Sequence, residues 1–232
     1  MNFINKNTLS SKLFLDPFPH LVIDNFLHEN HIPILLKEMD ELTLDKSYYY
    51  GDQAIEKNKY AFKDNLGENL NLLFKELNGD EWIQYLEKSF NIEGVIRNNL
   101  RLQGAGVHKV LNEGFLCMHT DFEAYQDNTF GLIDRRLNLL LYMNPDWKEE
   151  YGGSLSFFDN NKQTIDKKIS PILNRCVIFL TPGNMHGHPD ILHLPEGMVR
   201  QSITTYYYTK NTTGKNLNGS EIIPVTWYFD IK

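Results

Sequence analysis

The chain has 232 residues, 41% of them hydrophobic and 12% aromatic, enough to bury the core of one domain. Its 23 basic and 30 acidic residues give a formal charge of −7 with no basic stripe, which argues against nucleic-acid binding through a broad electrostatic footprint. The longest apolar runs, such as Leu137 to Met143, are too short to span a bilayer, so neither nucleic acid nor membrane is an expected partner.

In chain order, Leu21 to Phe26 reads as a short strand ending in a turn. Between Glu29 and Leu42 the residues Ile32, Leu35, Leu36, Met39 and Leu42 recur at helical spacing. A second helix is expected from Asn65 to Leu77, and Asn78-Gly79-Asp80 breaks it, with Asp80 placed to N-cap a third helix through Trp82, Ile83, Leu86 and Phe90. After Gly94 short β segments follow one another between Gly, Pro and Asn. The expected strands are Val95–Leu102, Val107–Leu111, Phe115–His119, Arg136–Met143, Ser154–Phe158, Arg175–Leu180 and Val199–Thr209, with Asn211 to Lys215 as a turn before a last strand near Trp227. Many short strands without βαβ alternation point to a sandwich or jelly roll. The expected fold is therefore α+β but mainly β: one domain over 1–232, with a mainly helical support at 1–94 and a double-stranded β-helix at 95–232. The N-terminus has no basic start followed by an apolar stretch, and Cys117 and Cys176 form no Cys-x-x-Cys pattern, so two reduced thiols in a cytoplasmic protein are expected.

Chemistry concentrates in one residue order. Alternation along a strand turns residues i and i+2 to one face, so His119 and Asp121 of His-Thr-Asp can reach one ion. A further His from the turn after Pro182-Gly183-Asn184 completes two imidazoles and one carboxylate, the donor set of non-heme Fe(II) sites with open positions. That turn delivers both His186 and His188, and the sequence alone leaves the choice open. His188-Pro189-Asp190 is a second His-x-Asp, so the motif by itself is weak. Asn138, Leu140 and Tyr142 share one strand face, and Arg200 and Ser202 share another, where a planar guanidinium suits a carboxylate. His108 precedes this set on a neighbouring strand with no assigned role. His20, His28, His31 and His193 are expected at surface or capping positions. The segments Phe122–Asp134 and Tyr48–Lys63, rich in polar and aromatic residues, are expected to be loops acting as lids.

Joint order carries a resemblance that no single motif does. His119-Thr-Asp121, Leu137-Asn-Leu-Leu-Leu-Tyr-Met-Asn-Pro-Asp-Trp147, Gly152-Gly153, Asn174-Arg-Cys-Val-Ile-Phe179, His186-Gly-His-Pro and Arg200-Gln-Ser-Ile follow one another between Gly104 and Thr209. This stretch resembles the prolyl 4-hydroxylase-like branch of the 2-oxoglutarate/Fe(II) dioxygenases. The resemblance implies His119, Asp121 and His186 as iron ligands and Arg200 as partner of the far carboxylate of 2-oxoglutarate, with Tyr142 and Ser202 assisting. It favours His186 through the order of the turn, whereas the shorter interval to Arg200 favours His188. It implies Fe(II) as cofactor and 2-oxoglutarate and O2 as cosubstrates, and leaves room for ascorbate as an accessory reductant. The implied reaction is hydroxylation of an unactivated C–H bond of a peptidyl proline, an amino acid or a small metabolite, with release of succinate and CO2. The alternatives carried beside it are a metal-dependent hydrolase and a non-catalytic jelly-roll binding module.

Overall fold

Along β5 (Gly131–Tyr142) alternate residues go to opposite sides of the sheet, and that division organises the molecule. Leu137, Leu139 and Leu141 enter the largest apolar core, while Asn138, Leu140 and Tyr142 line a pocket on the other face. The computed structural model describes residues 2–48, 52–96, 105–211 and 226–228. Within them the strands in chain order are β1 (His20–Ile23), β2 (Glu56–Phe62), β3 (Gly106–Thr120), β4 (Ala124–Asp127), β5, β6 (Leu155–Asp159), β7 (Thr164–Ile169), β8 (Arg175–Leu180), β9 (His186–His188), β10 (Arg200–Lys210) and β11 (Thr226–Tyr228). They form one mostly β, curled antiparallel sheet in the order β1-β8-β5-β10-β3-β9-β6-β7, with β2 and β11 added to β3 and β4 added to β5.

The outer face of β5, β8 and β10 is covered by three helices, α1 (Ile32–Asp40), α2 (Glu68–Glu76) and α3 (Asp80–Phe90). Leu35 and Met39 of α1, Leu70 and Leu73 of α2, and Trp82, Ile83 and Leu86 of α3 share one core with Ile178 and Ile203. Each such side chain removed from water contributes roughly 1.5–3 kcal/mol. Two polar ties fix the helices against the sheet and against each other. Tyr207 Oη on β10 accepts from Trp82 Nε1 at 2.7 Å and donates to the Leu77 carbonyl at 3.0 Å. The Glu38 carboxylate of α1 accepts from the backbone amides of Asn69 and Leu70 at 3.0 and 2.8 Å, capping α2 from outside and favoured by the helix dipole.

The structure departs from the sequence expectations in definite places. The third helix is capped by Gly79, and Asp80 is its first residue. The segment 1–94, expected as a mainly helical support, also supplies two strands to the sheet: β1 pairs with β8 and β2 with β3. The two strands expected at Val107–Leu111 and Phe115–His119 are one strand that continues through a left-handed Glu113. Phe122–Asp134 is a hairpin of β4 and β5, and half of Tyr48–Lys63 is β2, so neither is an open loop. Of the strand expected at Val95–Leu102, Val95 bridges to Thr209 and the residues after Ile96 lie outside the described ones; so does the turn after Asn211. Cys117 and Cys176 are free thiols.

Candidate metal centre and cosubstrate pocket

Four strands converge on the pocket. β3 ends at its mouth, carrying His119 and leading into Asp121, and β9 lies antiparallel beside it with His119 opposite His186. The two imidazoles are side by side, with ring centroids 4.5 Å apart. His119 Nε2 is 3.6 Å from Asp121 Oδ1, and His186 Nε2 is 3.3 Å from Asp121 Oδ2. The three potential ligand atoms lie within 4.8 Å of one another, the one such grouping found among the described residues.

The protonation states suit a cation. His119 Nδ1 is 2.9 Å from the Cys117 carbonyl and His186 Nδ1 is 3.1 Å from that of Asn184. A carbonyl can only accept, so each Nδ1 carries the proton and each Nε2 keeps its lone pair for the centre of the cluster. Burial holds His119 below the usual histidine range, with the neighbouring His186 adding to it. Burial alone would raise the Asp121 carboxyl; the neighbouring Arg135 charge leads the interactions that outweigh it and hold the carboxyl well below the usual range. Two imidazoles and one carboxylate, buried and convergent, fit a divalent transition metal.

Away from this cluster the pocket narrows to a cationic end. Alternation along β10 turns Arg200, Ser202, Thr204 and Tyr206 to the pocket, and Ser202 sits opposite Tyr142 of β5. Arg200 is 5% exposed, which makes its charge a structural question. Its Nε donates to the Gly153 carbonyl at 2.8 Å and its Nη2 to Tyr142 Oη at 3.5 Å, but no Asp or Glu among the described residues pairs with it. A buried, unpaired guanidinium is costly, so this end is built to receive an anion. Gly153 has φ +65°, and a Cβ there would lie 2.9 Å from Arg200 Cδ, so a side chain would displace the guanidinium. Burial raises the Tyr142 hydroxyl pKa, so it remains a hydrogen-bond donor for the same anion.

All the residues singled out in the sequence reach this one pocket: His119, Asp121 and His186 at one end, Arg200, Tyr142 and Ser202 at the other. His188 shares the strand face of His186 but stands apart from the three-residue cluster, toward Arg200, whose charge and the burial of the ring hold it well below the usual histidine range. His108 lines the pocket opposite Ser202. The decoy Asp190 pairs with Lys168 at 2.7 Å. His20, expected near the surface, is fully buried. Thr204, Tyr206, Lys59 and Arg135 were missed as pocket residues. Extending the Arg200–Ser202 alternation would have found the first two; nothing in the sequence marks the others.

Known proteins resemble this chain in sequence or in fold. The sequence pattern of the 2OG-Fe(II) oxygenase superfamily matches residues 105–208. Prolyl 3-hydroxylase OGFOD1 of Mus musculus is 25% identical over 207 residues, covering 87% of this chain and 34% of its own length, so the chain spans about a third of that relative. A prolyl-4-hydroxylase of Pseudomonas putida superposes with a TM-score of 0.60 at 15% identity, over 88% of this chain and 96% of that one. HygX of Streptomyces hygroscopicus, solved with nickel, 2-oxoglutarate and hygromycin B, superposes with a TM-score of 0.57 at 13% identity, over 90% and 88%. At these identities the two structures speak for the fold alone. The segment 105–208, which carries most of the pocket, is thus similar to the 2OG-Fe(II) oxygenase superfamily, and the sheet around it has the fold of a prolyl-4-hydroxylase.

Proposed function

We propose that the chain is a 2-oxoglutarate-dependent hydroxylase in which His119, Asp121 and His186 hold Fe(II), while Arg200, Tyr142 and Ser202 hold the far carboxylate of 2-oxoglutarate. The observation that carries this reading is the pairing of opposites in one pocket: a cation-ready cluster at one end and a buried guanidinium without an acidic partner at the other. A keto-diacid spans those two demands. Fe(II) and 2-oxoglutarate supply O2 activation and oxygen transfer to a C–H bond, with succinate and CO2 released.

The chain's own residues do the rest. Arg200 and Tyr142 orient the cosubstrate by its far end, and the apolar layer of Phe157, Val177 and Phe179 behind Tyr142 excludes water from that end. The inner strands and the helices outside them support a double-stranded β-helix backed by a helical layer, folding as one unit across 1–232. For substrate, the curated relative's name makes a prolyl residue the first group to test. The hydrolase alternative needs His188 and Asp190 at the metal, and both stand outside the cluster.

Anaerobic titration of Fe(II) and then 2-oxoglutarate should give a weak visible charge-transfer band, and prolyl peptides should be screened by succinate release. Asp121→Ala should abolish both the band and succinate formation. Wild-type protein that binds neither ligand would overturn the assignment.

A further inference from the structure

Resting on the metal reading just proposed, we infer that Asn138 and Arg135 are positioning residues that load one oxygen of Asp121 and so present the carboxylate to the metal through the other. Strict alternation would put Arg136 beside Asn138, Leu140 and Tyr142. Instead the β5–β10 register shifts between Tyr207, opposite Leu137, and Tyr208, opposite Arg135, so Arg136 is the extra residue of a bulge. The bulge brings Arg135 and Asn138, three apart, into one pocket. Both are buried, 2% and 3% exposed.

Their bonding is specific. Asn138 Nδ2 donates to Asp121 Oδ2 at 2.7 Å, and Arg135 Nη2 reaches the same oxygen at 3.1 Å. Asn138 Oδ1 in turn accepts from Arg135 Nε at 3.0 Å, from Arg135 Nη2 at 2.8 Å and from Thr181 Oγ1 at 3.2 Å. These donors fix which end of the amide points at the carboxylate, since only the NH2 end can donate to it. The guanidinium is held in plane by the Tyr206 ring, 3.6 Å from its centroid, with the Phe122 ring at 4.7 Å. Oδ2 thus carries the Asn138 hydrogen bond and the Arg135 ion pair, with His186 Nε2 3.3 Å away, whereas Oδ1 has His119 Nε2 at 3.6 Å. The amide bond and the guanidinium charge both draw on Oδ2, which leaves Oδ1 the better ligand for a metal. The pair also holds the carboxylate aimed before any metal arrives.

The test uses Co(II) alone as probe, titrated into the metal-free full chain with affinity and visible d–d absorption as readouts. Asn138→Ala and Arg135→Lys should each weaken Co(II) by about 10–100-fold, the range typical for outer partners of metal ligands, and alter the band pattern. Arg136→Ala should change neither. A merely structural role would lower thermal stability without moving the spectrum of the folded variant. If either variant, folded by circular dichroism, binds Co(II) with wild-type affinity and spectrum, the inference is overturned. Wild-type protein that fails to bind Co(II) overturns the metal reading itself, a separable outcome.

Discussion

At the scale of single residues, position along a strand separates chemistry that sequence cannot. His186 and His188 are two apart on β9 and face the same pocket, which is why spacing left them as rivals. The antiparallel register favours His186, because His119 pairs with His186 while His188 pairs with Leu116. His188 Nδ1 has no hydrogen-bond partner, and its ring lies toward Arg200. His186→Ala should therefore weaken Co(II) binding by more than about 100-fold, beyond what loss of an outer partner produces. His188→Ala should retain the metal and instead raise the KM for 2-oxoglutarate. Isothermal titration with Co(II) and succinate assays over a range of cosubstrate decide it; equal metal loss in both variants would refute the assignment.

At the scale of elements, legibility followed burial. β5, β8 and β10 were readable because both faces are apolar or chemically marked, and Arg175–Leu180 was delimited correctly. β2 was not, since Glu56-Lys-Asn-Lys-Tyr-Ala-Phe62 has no apolar alternation, and its reason for being a strand is the non-local ladder on β3. β9 is three residues long with a central glycine, too short for any periodic signal. The candidate ligands His119, Asp121 and His186 could be picked out because side-chain chemistry is readable without coordinates, and the structure brings the three together. Arg135 was not, because a bulge is a property of pairing, and alternation read without it selects Arg136. The same dependence on pairing makes Gly187 critical. A Cβ there would sit 2.6 Å from the Cys117 carbonyl oxygen and 3.0 Å from that of Leu116, both backbone atoms that cannot swing aside. Gly187→Ala should push β9 off β3, cost about 1–3 kcal/mol of stability as an overpacking change, and impair metal binding by moving His186. Thermal melts together with Co(II) titration test this; an unshifted melt with unchanged affinity would show the strands less closely packed than drawn.

At the scale of the whole molecule, β1 closes the far edge of the sheet and carries a titrating group into the interior. His20, opposite Phe179 in the β1–β8 register, is fully buried among Phe14, Phe18 and Phe157, with ring centroids 5.2, 6.3 and 5.1 Å away. Its Nδ1 is 2.8 Å from the Phe18 carbonyl, so Nδ1 holds the proton, and Nε2 has no partner. Burial lowers its pKa; the Phe18 carbonyl opposes that and the Lys167 charge adds to it. The consequence for stability has a definite sign. The unfolded chain protonates His20 near the ordinary histidine pKa of about 6.5, while the folded chain resists protonation until lower pH. Below about 6.5 the unfolded state thus binds more protons, so stability falls as pH drops toward the folded value, by at most about 1.4 kcal/mol per pH unit for this one site. Other buried histidines add to the fall, so the contribution of His20 is read as a difference. In urea melts of the metal-free protein between pH 7 and pH 5, His20→Phe should lose less stability than wild type while keeping the same denaturant slope. Parallel stability curves for the two proteins across that range would place the proton uptake elsewhere and leave His20 a neutral packing residue in both states.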